Sequence, residues 1–127
     1  AEHLLFPEDL QIQGYDMAVI LGNALDNAIE ACERLRQREP EAEAKIRISS
    51  FCKGKMLFIE IENSFDGRVL QRAGGEFPET SKADREMHGI GLANIRDSAG
   101  KYQGAVDWEV HGRNFRLMVM MKNEVTR

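Results

Sequence analysis

Apolar residues near the start of the chain recur at intervals of three and four positions, beginning at Met17 and ending at Leu35. This spacing predicts an amphipathic helix that starts at about Tyr15. The apolar stripe consists of Met17, Leu21, Ala24, Leu25, Ala28, Cys32 and Leu35. Because one helix cannot bury such a stripe by itself, the rest of the chain must supply a layer that packs against it.

Two segments with alternating apolar and polar residues predict that layer. The charged run 33–45, which includes Pro40, ends the helix. Apolar residues then alternate over 46–48 and 57–61 around a turn at 53–55, which is the pattern of a β-hairpin. A second hairpin is predicted from the alternating residues Val106, Trp108, Val110, Phe115, Leu117 and Val119, with its turn at 112–114.

A second amphipathic helix is predicted between the hairpins, where Leu92, Ile95, Ala99 and Tyr102 share one face and Gly104 ends the helix. Helix, hairpin, long loop, helix and hairpin is the order of an α+β domain. Its helices are expected on one face of a mostly antiparallel sheet.

Length and charge limit the classes of protein to which the chain can belong. Its 127 residues are enough for one domain with a single core, and we expect one domain over 1–127. The net charge of −4 disfavours a nucleic-acid partner, and no apolar run approaches a membrane span. Cys32 and Cys52 lack metal-ligand spacing. The chain begins at Ala1 without a Met, so we expect a fragment of a longer protein.

Five polar residues share a narrow sector of the first predicted helix, which the helical spacing places opposite the apolar stripe: Asp16, Asn23, Asn27, Glu30 and Arg34. Asn is a poor helix former, and solubility alone would favour Glu, Lys or Gln. Amide oxygens at Asn23 and Asn27 point the same way and can flank a hydrated Mg²⁺. The alternative is an ordinary solvated helix face.

Gly89 and Gly91 lie between His88 and Leu92, at the start of the second predicted helix. Glycines allow the backbone to approach an anion, and a helix N-terminus offers free N–H groups and the positive end of the helix dipole. A dinucleotide-binding fingerprint is absent because Asn94 stands where the third glycine belongs, and the Walker pattern is also absent. The alternative is a glycine-rich turn before a helix.

Further candidate ligands flank the long loop. Asn63, at the end of the second predicted strand, can accept a hydrogen bond from an amino group or begin a turn. Lys82 and Arg85 are cations that can reach a polyphosphate, and the alternative for them is a solvated loop. Loops as long as 64–88 within a compact domain are usually functional or mobile.

Four strings occur in a characteristic order: LGNALDNAIEA at 21–31, IEN at 61–63, HGIGLANIR at 88–96 and KYQG at 101–104. Together they resemble the GHKL ATPase superfamily, and within it most closely the ATP-binding domains of AgrC-like sensor histidine kinases, the peptide quorum-sensing receptors. The resemblance covers Asp9 to Met121. It implies a Bergerat fold, a two-layer α/β sandwich with a mostly antiparallel mixed sheet and a mobile ATP lid at about 64–88.

The resemblance also implies roles for individual residues. Asn27 would coordinate Mg²⁺, Asn23 would line the phosphates, and Asn63 would contact adenine where most members have Asp. The box that contains His88, Gly89, Gly91 and Leu92 would bind the phosphates. Many histidine kinases have a Lys where this chain has Glu30, so a cation for the γ-phosphate must come from elsewhere, and Lys82 and Arg85 are the candidates.

The implied activity is transfer of the ATP γ-phosphoryl group to a histidine on an upstream dimerisation hairpin that the chain does not contain. Gyrase-type hydrolases carry a Glu general base at the position of Asn23, and a carboxamide cannot take a proton from water. The expected setting is a monomeric, cytoplasmic domain of a membrane-bound receptor kinase that acts indirectly on a response regulator. The alternatives are an anti-sigma-type serine kinase, a nucleotide-binding pseudokinase scaffold favoured by Asn63 and Glu30, and an unrelated α+β domain.

Overall fold

The computed structural model describes residues 9–67, 70–71, 78–79 and 92–124 of the chain. Its elements, in chain order, are helix α1 (Gly14–Arg38), strands β1 (Ile46–Lys53), β2 (Met56–Ser64), β3 (Leu70–Gln71) and β4 (Pro78–Glu79), helix α2 (92–100), and strands β5 (Ala105–His111) and β6 (Asn114–Lys122). No helix in these ranges is long and apolar enough to cross a membrane.

Four strands form one sheet in the order β1-β2-β6-β5, and every neighbouring pair in it is antiparallel. Both predicted hairpins are confirmed. Each has a two-residue turn that begins with a glycine at positive φ, Gly54 at 61° and Gly112 at 60°, a conformation that other residues adopt only with strain. Strands β3 and β4 pair separately with each other.

One face of the sheet packs against both helices, as the α+β prediction requires. The register places Leu57, Ile59 and Ile61 of β2 opposite Met121, Val119 and Leu117 of β6, and all six side chains are buried. Apolar side chains from α1 and from α2 complete the same core: Met17, Ile20, Ala24, Ala28, Leu92, Ile95 and Ala99. The fold is therefore two layers that share a single apolar core.

The opposite face of the sheet combines an aromatic pair with an ion-pair ladder. Phe51 and Phe58 stack at 4.7 Å between ring centroids, across the β1–β2 ladder. Arg116 of β6 bridges Glu60 of β2 and Glu109 of β5. These cross-strand pairs stabilise the neighbouring-strand contacts on the side that the helices do not cover.

The burial pattern of α1 differs from the predicted one. Ile20, which the predicted stripe omitted, is fully buried, whereas Leu21 and Leu25 are only half-buried. The polar sector does not lie opposite the core. Asn23, Asn27, Glu30 and Arg34 are half-buried beside it and Asp16 is buried, so the sector is a flank of the core. In the text below, this flank is called the polar flank of α1.

The second helix is shorter than predicted. Its helical residues end at Gly100, and Tyr102 lies in the turn that follows. Gln103 in that turn has a φ of 54°, and the N–H of Gly104 donates to the carbonyl of Ala99 at 3.0 Å. The helix thus ends two residues before Tyr102, the last position of the predicted apolar face. The turn, and not the helix, sets the direction of the Tyr102 side chain.

Candidate functional site

The end of strand β2 places Asn63 on the helix-facing side of the sheet. Its side chain is buried, in register with the apolar residues Leu57, Ile59 and Ile61. The Nδ2 group donates to the carbonyl of Ser64 at 3.0 Å. A buried carboxamide at the rim of an apolar core can give directional hydrogen bonds to a planar ligand that enters between the layers.

Backbone hydrogen bonds hold the chain on both sides of Asn63. The N–H of Ser64 donates to the carbonyl of Lys45, and the Oγ of Ser64 accepts from the N–H of Lys45. One residue later, the N–H of Phe65 donates to the carbonyl of Arg113, and the rings of Phe65 and Phe115 meet edge to face. The position of Asn63 is therefore fixed by neighbours from β1 and from the β5–β6 hairpin.

Helix α1 passes over this strand end at Cys32. The Sγ atom of Cys32 lies 3.6 Å from the carbonyl oxygen of Ser64 and 3.8 Å from that of Lys45. Burial raises the pKa of the Cys32 thiol, which keeps it protonated. Asn27 precedes Cys32 by five residues, or about 7.5 Å along the helix axis. The second half of α1 thus lies against the end of β2.

The two asparagines of the polar flank have different surroundings. The Nδ2 group of Asn23 donates to the carbonyl of Val19, one helical turn earlier, at 2.8 Å. This bond orients the Asn23 carboxamide along its own helix. Asn27 follows one turn later and is half-buried. Asn23 and Asn27 thus lie one turn apart on the polar flank of α1, and the ligand roles that the resemblance gives them and Asn63 stay predictions.

The other predicted site residues are less fully described. Lys82, Arg85, His88, Gly89 and Gly91 lie outside the described residues. Leu92, the first described residue of α2, is buried and belongs to the core. Its side chain therefore packs in the core, and the ligand contact that the resemblance implies for Leu92 stays a prediction.

Two ion pairs close the far end of the polar flank. The Nε atom of Arg38, the last residue of α1, lies 3.3 Å from the Oδ2 atom of Asp66, just beyond β2. Glu39 accepts hydrogen bonds from Arg113 in the β5–β6 turn, and the guanidinium of Arg113 lowers the pKa of the Glu39 carboxyl. These contacts join the end of α1 to both strand ends that border Asn63.

A hydrogen-bonded cluster around the buried Asp16, which sequence reasoning missed, joins the other ends of the helices. Asp16, in the first turn of α1, accepts hydrogen bonds from the Oη of Tyr102 at 2.5 Å and from the Nζ of Lys101 at 3.0 Å. These two bonds lower the pKa of the Asp16 carboxyl, and burial followed by the bond to Asp16 raises that of Tyr102. A tyrosine on the predicted apolar face of α2 is the signal that could have suggested it, since a buried phenol needs a partner.

The described donor groups fit a Mg²⁺ ion that arrives with a nucleotide better than one held by the protein alone. Among the described residues, no group of three or more His, Cys, Asp or Glu side chains is arranged to hold a metal ion. Mg²⁺ that binds with a nucleotide takes most of its ligands from phosphate oxygens and water, so it needs only one or two protein oxygens. The half-buried carboxamide of Asn27 fits that requirement.

Comparison with known proteins identifies the family. The sequence model of the GHKL domain family matches residues 12–122. The chain belongs to the GHKL family. The match includes the polar flank of α1, Asn63, and the glycine box at 88–92. No curated protein gives a significant sequence match to this GHKL domain.

Solved structures of histidine kinases share this fold. The nucleotide-free catalytic domain of histidine kinase ThkA aligns with a TM-score of 0.64 at 18% identity, over 90% of this chain and 70% of that one. The histidine kinase AdeS of Acinetobacter baumannii aligns with a TM-score of 0.55 at 18% identity, over 87% of this chain and 47% of that one. The chain thus spans about half of the AdeS structure. It is a GHKL ATP-binding domain with the histidine-kinase fold.

Proposed function

We propose that this GHKL domain is the catalytic domain of a two-component sensor histidine kinase. It would transfer the γ-phosphoryl group of ATP to a histidine on a separate, upstream dimerisation domain. The observation that carries the proposal is the pair of half-buried carboxamides on the polar flank of α1, Asn23 and Asn27, in a domain whose strand β2 ends on the buried Asn63. GHKL hydrolases have a glutamate base where this chain has Asn23, and an amide cannot deprotonate water.

Each residue then has a defined task. Asn63 would accept a hydrogen bond from the adenine amino group, and Asn27 would contribute its carboxamide oxygen to Mg²⁺, which neutralises phosphate charge when bound. The glycine box of Gly89 and Gly91, together with the N-terminal end of α2, would bind phosphate oxygens through backbone N–H groups. Lys82 and Arg85 are the candidate cations for the γ-phosphate.

Catalysis in such a site consists of positioning and electrostatic stabilisation. A nitrogen of the acceptor imidazole forms the new bond to the γ-phosphorus, and the bond from that phosphorus to the β–γ bridging oxygen breaks. ADP is the leaving group. The domain supplies the orientation of ATP, and the other domain supplies the nucleophile. A membrane-bound receptor of the AgrC-like type is the setting that the sequence resemblance supports.

Nucleotide binding is tested by titrating the ¹⁵N-labelled chain with ADP and with a non-hydrolysable ATP analogue, with and without Mg²⁺. We expect shifts centred on Asn27 and Asn63. Asn27→Ala should weaken Mg²⁺-dependent binding about tenfold, the equivalent of one lost charge-assisted contact. Asn114→Ala, which removes an exposed carboxamide at the start of β6, is the matched control and should bind like the wild type.

Phosphoryl transfer is tested on the complete gene product with γ-labelled ATP. Phosphohistidine is labile in acid and stable in base, whereas phosphoserine is stable in acid. A histidine kinase therefore loses its label in acid, and a serine kinase of the anti-sigma type keeps it. Nucleotide binding without any labelled protein would favour the pseudokinase scaffold, to which the substitutions at Asn63 and Glu30 point. Unchanged Mg²⁺-dependent binding in Asn27→Ala would contradict the role given to that residue.

A further inference from the structure

The hydrogen-bonded cluster of Asp16, Tyr102 and Lys101 joins two parts of the chain that are far apart in sequence. Asp16 belongs to the first turn of α1, while Lys101 and Tyr102 follow α2 directly. The Oη of Tyr102 donates to Asp16 and accepts from the backbone N–H of Gln13 at 3.0 Å. The same hydroxyl group therefore also holds the segment that precedes α1. We call this cluster the helix joint.

The hydrogen bonds of the helix joint restrict the orientation of α1 relative to the end of α2. The Asp16 side chain is 6% exposed, and a carboxylate so little exposed is stable only when hydrogen bonds replace its lost water. Its position near the N-terminus of α1 also favours the negative charge. The two donors, Lys101 and Tyr102, lie in one turn. Asp16 can therefore accept both hydrogen bonds only in a narrow range of orientations of α1. Rotation or sliding of α1 against the end of α2 would break at least one of these bonds.

Tyr102 has little freedom to follow such a movement. Its N–H donates to the carbonyl of Ala99 at 3.0 Å, and its carbonyl accepts from the N–H of Lys122 in β6 at 2.8 Å. The ring also packs against the apolar core. The tyrosine is thus attached to α2 and to the sheet, and its hydroxyl holds α1 relative to both.

Both helices lead from the joint toward the site. Asn23 and Asn27 follow Asp16 by about 10 and 16 Å along the axis of α1, and Leu92 lies about 12 Å before Gly100 on α2. Helices behave as stiff rods over such lengths, so a tilt at the joint displaces their far ends. The distance between the polar flank of α1 and the beginning of α2 depends on the angle that the joint sets.

We propose that Asp16 and Tyr102 are positioning residues, which hold α1 and α2 at the separation that nucleotide binding requires. For its ligand this inference rests on the proposed function. Neither residue needs to touch the nucleotide. The joint acts through the placement of Asn27 on one helix and of the glycine box at the start of the other.

The separation is measured first, without nucleotide, by electron–electron double resonance between spin labels at Asp26→Cys and Asp97→Cys in a Cys52→Ser background. Both labelled positions are exposed, and Cys32 is buried. We expect Tyr102→Phe to shift or broaden the distance distribution. Glu60→Gln, which weakens the ion pair with Arg116 on the face of the sheet that the helices do not cover, is the control and should leave the distribution unchanged. If Tyr102→Phe does not fold, Lys101→Gln is measured in its place, because it removes the exposed ion-pair partner of Asp16.

The affinity for Mg²⁺–ADP is then measured in the same unlabelled variants, at a temperature where each is fully folded. Tyr102→Phe should raise the Kd about threefold or more, and Glu60→Gln should not change it. A purely structural joint would lower the unfolding temperature of Tyr102→Phe and leave both distance and Kd unchanged, which would overturn the proposal. A changed distance with an unchanged Kd would also overturn it. If the wild type bound no nucleotide, the proposed function and the positioning role would fail together, and the distances would still decide whether the joint sets the separation.

Discussion

Buried polar side chains carry much of the specificity of this fold at the level of single residues. The described core contains few of them, namely Asp16, Ser50, Asn63 and Ser98. A buried polar group is stable only with hydrogen-bond partners in the right places, so each one favours a single arrangement of its neighbours. Asp16 does so for the ends of the two helices, and Asn63 for the end of β2.

The hydrogen bonds of Asp16 predict how stability depends on pH. Tyr102 and then Lys101 lower the pKa of Asp16 below its ordinary value of 3.8. A carboxyl whose pKa is depressed by folding stabilises the protein above its unfolded pKa, and the contribution disappears as pH falls through the folded pKa. The stability advantage of the wild type over Asp16→Asn should therefore be constant from pH 8 to about pH 5 and shrink below about pH 4.

Urea midpoints of the two proteins at a series of pH values measure that advantage. Asn has nearly the shape of a protonated Asp, which makes the variant a suitable reference. A difference that stays constant down to about pH 3 would show that the Asp16 carboxyl has an ordinary pKa in the folded chain, contrary to this prediction.

The sequence predicts the residue-level site only in part. Helical spacing groups Asn23 and Asn27 correctly, because that grouping depends on local geometry alone. It does not predict the burial of Asp16, since the partners Tyr102 and Lys101 are more than 80 positions away. The same pattern omits Ile20, because the edges of an apolar stripe depend on what packs against it.

At the level of elements, the contact between α2 and the sheet depends on Gly104. A Cβ atom added there would lie 2.0 Å from the backbone oxygen of Met120 and 2.8 Å from that of Ala99. Neither oxygen can move without disturbing β6 or the end of α2. The connection between helix and strand is therefore as close as a glycine permits.

Gly104→Ala is expected to destabilise the domain by about 1–3 kcal/mol, the usual cost of overpacking a tight contact. Gly100→Ala is the matched control, because this helical glycine is exposed and a Cβ there meets open space. It should be neutral or stabilise the domain by up to about 1 kcal/mol through helix propensity. Urea denaturation of both variants measures the difference, and equal effects would contradict the importance of the close contact.

The helices and hairpins themselves are well predicted, for a physical reason. Their signals are local: apolar spacing in α1, alternation in β1 and β2, and glycines at positive φ in both turns. The end of α2 is predicted less well. The apolar face extends to Tyr102, but the helix stops at Gly100 because the next residues form a turn that returns the chain to the sheet.

At the level of the whole molecule, ligand binding and folding are linked. A nucleotide that binds only the folded chain raises the free energy of unfolding by about 2.7 kcal/mol at a concentration of 100 times its Kd. We therefore expect Mg²⁺–ADP at that saturation to raise the unfolding temperature. Differential scanning calorimetry with and without nucleotide measures the shift.

The same experiment contains its own control. Asn27→Ala should unfold at nearly the wild-type temperature without ligand, because the residue is only half-buried, and should gain less from a fixed concentration of Mg²⁺–ADP. If both proteins gained equally, Asn27 would not contribute to binding. If neither gained at saturating nucleotide, the ATP-binding role of the whole domain would be in question.

The central β2–β6 ladder pairs Ser64 with Asn114, about 50 positions further along the chain. Folding must therefore close a large loop, and the entropy lost in doing so grows only with the logarithm of its length. Ten extra residues between β2 and α2 would cost about 0.2 kcal/mol. Evolution can thus lengthen or shorten the segment that contains Lys82 and Arg85 at almost no cost to the stability of the scaffold.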